Sequence, residues 1–116
     1  MNLILCLRIC CLSSLNLAKY DEWKDTDVVE TAIRFLDGVM QEFIDKSNGK
    51  DSLIRTHRHA QKGRALGLGV MGWHSFLQKK NLPFNSISST AWTHTLFSDI
   101  RQKAEATSRE LAQEYG

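Results

Sequence analysis

The chain has 116 residues, 42% hydrophobic and 24% charged, with a formal net charge of +2. These are ordinary values for one small globular domain, so long disorder is excluded. The charge is too small to argue for a nucleic-acid or membrane partner, and neither is expected.

In chain order, the first segment is apolar. Met1-Asn-Leu-Ile-Leu-Cys-Leu-Arg-Ile-Cys-Cys-Leu12 superficially resembles a secretion signal. It has no basic start, Arg8 interrupts the run and no small-residue cleavage site follows. It is also too short to span a bilayer. Residues 3–17 therefore read as one or two buried strands, weakly alternating as in a strand covered on both faces. Asp21 and Glu22 mark a polar turn.

Asp25-Thr-Asp27 supplies side chains that can accept hydrogen bonds from the free N–H groups of a first helical turn. Val29, Ile33, Leu36, Met40 and Phe43 then recur at three- and four-residue spacing, which predicts a helix of about five turns. Ser47-Asn-Gly49 stops it. Residues 50–64 are polar and basic and read as a connector with a short helix. Residues 65–76 are apolar and glycine-rich, an extended or tight piece leading into a helix from about Met71 to Lys79. Asn81–Ser88 is a loop, with Ser88 or Ser89 as cap of a last helix. Trp92, Leu96, Ile100, Ala104, Leu111 and Tyr115 form that helix's inner stripe.

Few side chains suggest chemistry. Gly67-Leu-Gly-Val-Met-Gly72 spells G-x-G-x-x-G. A dinucleotide site needs a strand before that pattern and an acid about twenty residues on, and neither is present. Close backbone packing is the expected role. His57 and His59 lack a clear third metal ligand and read as part of an exposed basic connector, so no metal site is assigned. His74 and His94 are expected to be partly buried structural residues. Cys6, Cys10 and Cys11 are odd in number and clustered, a poor disulfide framework that suits a reducing, cytoplasmic setting. Taken alone, they read as small apolar residues.

The order of two motifs changes that balance. Cys10-Cys-Leu-Ser-Ser-Leu-Asn-Leu17 resembles the Cys-x-Leu-x-Ser-x-Asn-Leu strand of the large, catalytic subunit of ribonucleotide reductases. Arg64-Ala-Leu-Gly-Leu-Gly-Val-Met-Gly72 is similar to the family's second motif at about the expected distance, and Ala104 to Gly116 resembles its following helix end. The resemblance covers roughly residues 10–116. It implies a mainly helical chain with a short N-terminal strand region, a single partial domain over 1–116 belonging to a ten-stranded α/β barrel. The implied activity is reduction of ribonucleotides to deoxyribonucleotides. A thiyl radical takes the 3′ hydrogen of the ribose, and two further cysteines supply electrons and become a disulfide. Cys10 matches the first cysteine of that reducing pair, whose partner lies upstream of this stretch in the family.

The departures define the rest of the expectation. The family's radical cysteine sits in an Asn-x-Cys-x-Glu loop. Around Cys6, Ile4 stands for the asparagine and Arg8 for the glutamate, and arginine cannot act as general base. The radical role is therefore not carried onto Cys6, and residues 1–9 read as a non-native start on a truncated or split gene. The phosphate-binding Ser/Thr loop, radical-path tyrosines, recycling cysteines and ATP-binding cone have no counterpart in these 116 residues. The segment is expected to bind no cofactor and to be inactive alone. Its implied partners are the remaining large-subunit segments, a small radical-generating subunit and a ribonucleotide, with ATP or dNTP effectors acting on the whole enzyme. The competing expectation is a non-catalytic helical interaction module or relic.

Overall fold

The computed structural model describes residues 9–116. Cys6 and the apolar start up to Arg8 lie outside the described residues. Two strands, β1 (Cys11–Asn16) and β2 (Leu66–Met71), pair in parallel, with Cys11 opposite Leu66 and Asn16 opposite Met71. A parallel pair needs a long crossover, and here it consists of α1 (Tyr20–Trp23), α2 (Val28–Ser47) and α3 (Ile54–Gly63). After β2 come α4 (Trp73–Lys79) and the long α5 (Ile87–Tyr115).

Side chains alternate across a strand, and the alternation sorts the sheet into two unlike faces. Cys11 and Leu15 of β1, with Leu66, Leu68 and Val70 of β2, face the helices. Leu12, Ser14, Gly67, Gly69 and Met71 face the other way, and Leu12 and Met71 are 75% and 55% exposed. The expectation of cover on both faces thus holds for one face only. Helices α2 and α5 lie together on that side, and Val29, Leu96 and Ile100 meet Leu15, Leu17, Phe76 and Leu77 in the main core. Met40 and Ile44, farther along α2, meet Ala60 of α3 in a second cluster with Cys11 and Leu66.

Several local expectations are corrected by packing. Asp21 and Glu22 lie in a one-turn helix, not a turn, because Tyr20 and Trp23 on either side both bury their rings, edge to face at 5.1 Å. Trp23 donates its indole N–H to the Asn16 carbonyl at 2.9 Å. Asp27 precedes α2 as expected but makes no side-chain cap; its ψ of 23° is near-helical, whereas a capping side chain needs extended backbone. Ile44, rather than Phe43, is the fully buried end of the α2 stripe, with Phe43 at the cluster's edge.

The basic connector is mostly helix. Only Ala60 is buried along α3, which is enough to dock it on α2 while its charged residues stay solvated. Ser86, not Ser88 or Ser89, caps α5: its extended backbone lets Oγ accept from the Ser89 N–H at 3.1 Å. Tyr115 leaves the expected inner stripe and is 78% exposed. The end of α5 still lies beside α2, whose Arg34 reaches Glu110 at 3.2 Å and Glu114 at 2.9 Å, but the tyrosine ring itself stays in solvent. Thr107 is buried instead, its hydroxyl satisfied by the Lys103 carbonyl.

Candidate functional site

Cys10 stands immediately before β1, and its side chain is exposed. The next residue, Cys11, points to the opposite face and packs half-buried in the cluster of Met40, Ile44 and Ala60. Burial pushes the Cys11 thiol above its ordinary value, and the adjacent Cys10 adds to the effect. Among the described residues both thiols are free. Strand alternation thus separates two neighbouring cysteines into one that is reachable and one held neutral.

Beside Cys10, β2 offers Gly67, whose missing side chain leaves room for the tip of Leu12. A Cβ at Gly67 would lie 2.5 Å from Leu12 Cδ2 and 3.4 Å from Cys10 Sγ. A Cβ at Gly69 would meet Ser14 Oγ at 3.8 Å, an ordinary contact. At the other end of the sheet, Gly72 has φ +77° and its missing Cβ would be 2.7 Å from Asn16 Oδ1 and 3.0 Å from the Ala18 nitrogen. That space lets Asn16 fold back to accept from the Ala18 N–H at 3.0 Å. The two halves of the sequence pattern, residues 10–17 and 64–72, are therefore adjacent strands that interlock through glycine.

This placement disposes of the dinucleotide pattern. Gly67 and Gly69 lie inside β2, where they cannot form a phosphate-wrapping loop, and only Gly72 sits at the strand-to-helix turn. His57 and His59 are half-buried on α3, not exposed. Residues two apart on a helix project to opposite sides, so the two do not converge on one ion. His57 Nδ1 lies 2.8 Å from Ser47 Oγ, and His59 Nδ1 is buried without a hydrogen-bond partner among the described residues. His74 and His94 are exposed, which corrects the expectation of partial burial. Among the described residues no cluster of three or more His, Cys, Asp or Glu is arranged to hold a metal. No helix among them is long and apolar enough to cross a membrane.

Sequence reasoning missed three positioning contacts: Leu12 over Gly67, Asn16 against Gly72, and Arg64 on Asp37. Arg64 ends α3 in the left-handed region at φ 41°, and its Nη2 reaches Asp37 Oδ1 at 2.9 Å. An arginine is an unusual residue for such a φ, so no sequence signal marks it. Glycines in a strand do signal close approach, but not of what.

Parallel strands joined through helices, with helices covering one sheet face and a reachable thiol on the other, define an α/β segment. The family described as ribonucleotide reductase, barrel domain, matches residues 6–116. The chain is 43% identical over 109 residues to the putative ribonucleoside-diphosphate reductase large subunit of Frog virus 3 (isolate Goorha), covering 93% of this chain and 19% of that protein. It is 41% identical over 98 residues to the large subunit from Invertebrate iridescent virus 6, covering 84% and 10%. Among solved structures, the Actinobacillus ureae class Id ribonucleotide reductase alpha subunit superposes with a TM-score of 0.89 at 48% identity, over 92% of this chain and 21% of that one. The chain belongs to the ribonucleotide reductase family. It spans about a fifth or less of the length of these relatives.

Proposed function

We propose that the chain is a segment of the large subunit of a ribonucleoside-diphosphate reductase, and that Cys10 is one of the two thiols that reduce the ribonucleotide. The observation that carries this reading is the segregation of the cysteines: Cys10 is exposed on the open sheet face beside Gly67, and Cys11 is packed away on the other. In the reaction the ribose 2′ hydroxyl leaves as water. The two electrons come from two thiols, which lose their hydrogens and join as a disulfide. The 3′ hydrogen is held by a radical thiol elsewhere in the enzyme during the step. Cys10 supplies one of the reducing thiols, and its partner comes from an upstream segment.

In this reading β1 and β2 are neighbouring strands of a ten-stranded barrel, 1–116 is a partial domain of it, and the open face lines its interior. The outer edges of both strands pair with strands from other segments. The small radical-generating subunit and ATP or dNTP effectors act on that whole assembly, in the cytoplasm. A reducing compartment suits two free cysteines and a thiol that must be regenerated after each turnover.

The test is reassembly. The chain is combined with upstream and downstream large-subunit segments, the small subunit, a nucleoside diphosphate and dithiothreitol, and deoxynucleotide is measured. The complete mixture forms product, the 116-residue chain with the small subunit alone forms none, and Cys10→Ser abolishes the yield. Undiminished product from Cys10→Ser overturns the assignment.

A further inference from the structure

We propose that Gly67 is a positioning residue for the Cys10 thiol: by lacking a side chain it leaves the flank of the sulfur to the movable tip of Leu12 instead of a fixed methyl. The inference rests on the reading of Cys10 as a reducing thiol, but it is carried by separate geometry. In the parallel register Leu12 is paired with Gly67, and Cys10 lies two residues back on the same face. The single point where a Cβ would stand on Gly67 is 2.5 Å from Leu12 Cδ2 and 3.4 Å from Cys10 Sγ. The leucine tip thus fills the vacant place, and the sulfur borders it.

The two contacts have different consequences. Leu12 is 75% exposed, and Cδ2 is the free end of a flexible side chain, so an added methyl can push it toward solvent at small cost. The strand itself survives the substitution, since the nearest backbone atom across the sheet, the Cys11 carbonyl oxygen, is at 3.9 Å. The methyl then remains fixed against Sγ, at the near edge of van der Waals contact, and covers one side of the sulfur. A reducing thiol has to meet both its substrate and a second sulfur at bonding distance, so a covered flank is a direct handicap. Gly69 gives the matched comparison. It is on the same strand and face, and a Cβ there meets only ordinary contacts, Ser14 Oγ at 3.8 Å and the Ser13 carbonyl oxygen at 3.9 Å.

The experiment measures alkylation of the reduced, folded chain by iodoacetamide, in which a cysteine thiolate displaces iodide. Tandem mass spectrometry assigns the label to Cys10 or Cys11. Cys11, half-buried among Met40, Ile44 and Ala60 on the opposite face, reports loosening of that side of the fold. Gly67→Ala is expected to slow labelling of Cys10 several-fold, while Cys11 labelling and the thermal midpoint stay as in the parent. Gly69→Ala is expected to leave Cys10 labelling unchanged. Leu12→Ala/Gly67→Ala removes the 2.5 Å contact and keeps the methyl beside Sγ, so it too should label Cys10 slowly even where Gly67→Ala alone disturbs folding. Parental Cys10 labelling in the folded double variant, or an equal slowing by Gly69→Ala, overturns the proposal. Failure of the Cys10 assignment itself shows up separately, as undiminished deoxynucleotide from Cys10→Ser in the reassembled enzyme.

Discussion

Replacing Gly72 by alanine tests the interlock between the two strand motifs. Gly72 has φ +77°, a region that costs an L-residue roughly 1–2 kcal/mol. The new Cβ also meets Asn16 Oδ1 at 2.7 Å and the Ala18 nitrogen at 3.0 Å. The nitrogen is backbone and cannot step aside, so the Asn16 side chain must leave, and its hydrogen bond to the Ala18 N–H goes with it. Loss of such a local side-chain cap costs roughly 1 kcal/mol. The sum is roughly 2–3 kcal/mol, which lowers the thermal midpoint by roughly 10–20 °C for a domain near this size. Asn16→Ala alone forfeits only the hydrogen bond. In Asn16→Ala/Gly72→Ala that bond is lost once rather than twice, so the double variant should resemble Gly72→Ala, with a coupling of roughly 1 kcal/mol. Thermal and urea unfolding followed by circular dichroism, on reduced protein at low concentration, reads all four members of the cycle. Simple additivity of the two substitutions refutes the interlock, as does a Gly72→Ala variant as stable as the parent.

Alkaline pH should destabilise the chain through two buried acids. Burial raises both the Cys11 thiol and the Tyr20 phenol, and nearby Cys10 and the carboxylates Asp99, Asp25 and Asp21 add to the respective shifts. A raised folded-state value favours the neutral form, so the contribution is fully present below the ordinary thiol and phenol values, roughly pH 8.5 and 10, and is lost as pH climbs from each toward its folded value. Unfolding midpoints taken from pH 7 upward should fall, and Cys11→Val and Tyr20→Phe should each flatten the curve; parallel curves would refute the attribution. Association is the other expectation. Leu12 and Met71 are exposed on the open face, and among the described residues each strand of the two-stranded sheet has a free edge, so the chain should self-associate at roughly tens of micromolar. Light scattering should find the Leu12→Lys/Met71→Lys variant less associated, whereas a monomeric parent with cooperative unfolding would favour a self-sufficient helical module.

The sequence by itself determined the elements with a strong period. The α2 stripe of Val29, Ile33, Leu36 and Met40 is buried as its spacing requires, because a helix long enough to repeat its pattern has only one face to offer a core. Two motifs in order, around Cys10 and around Gly67, were enough to indicate the family. Short elements were less legible. The turn at Asp21 became a helix once Tyr20 and Trp23 had a core to enter, and the cap of α5 moved to Ser86 because only there is the backbone extended. The reach of the α5 stripe was also hidden: Tyr115 stays exposed although Arg34 of α2 still pairs with Glu110 and Glu114 beside it, and the periodicity of α5 does not say which of its turns find a partner.

What only the tertiary structure decided is how the two motifs meet. Parallel pairing sets Leu12 on Gly67 and Asn16 beside Met71, next to Gly72, so residues more than fifty positions apart share one face. Pairing also decides which cysteine is reachable. The sequence shows two adjacent thiols of equal chemistry; a strand turns its neighbours to opposite sides, and the helices cover only one of them. Register and coverage are properties of the assembled sheet, and no local pattern in either motif encodes them.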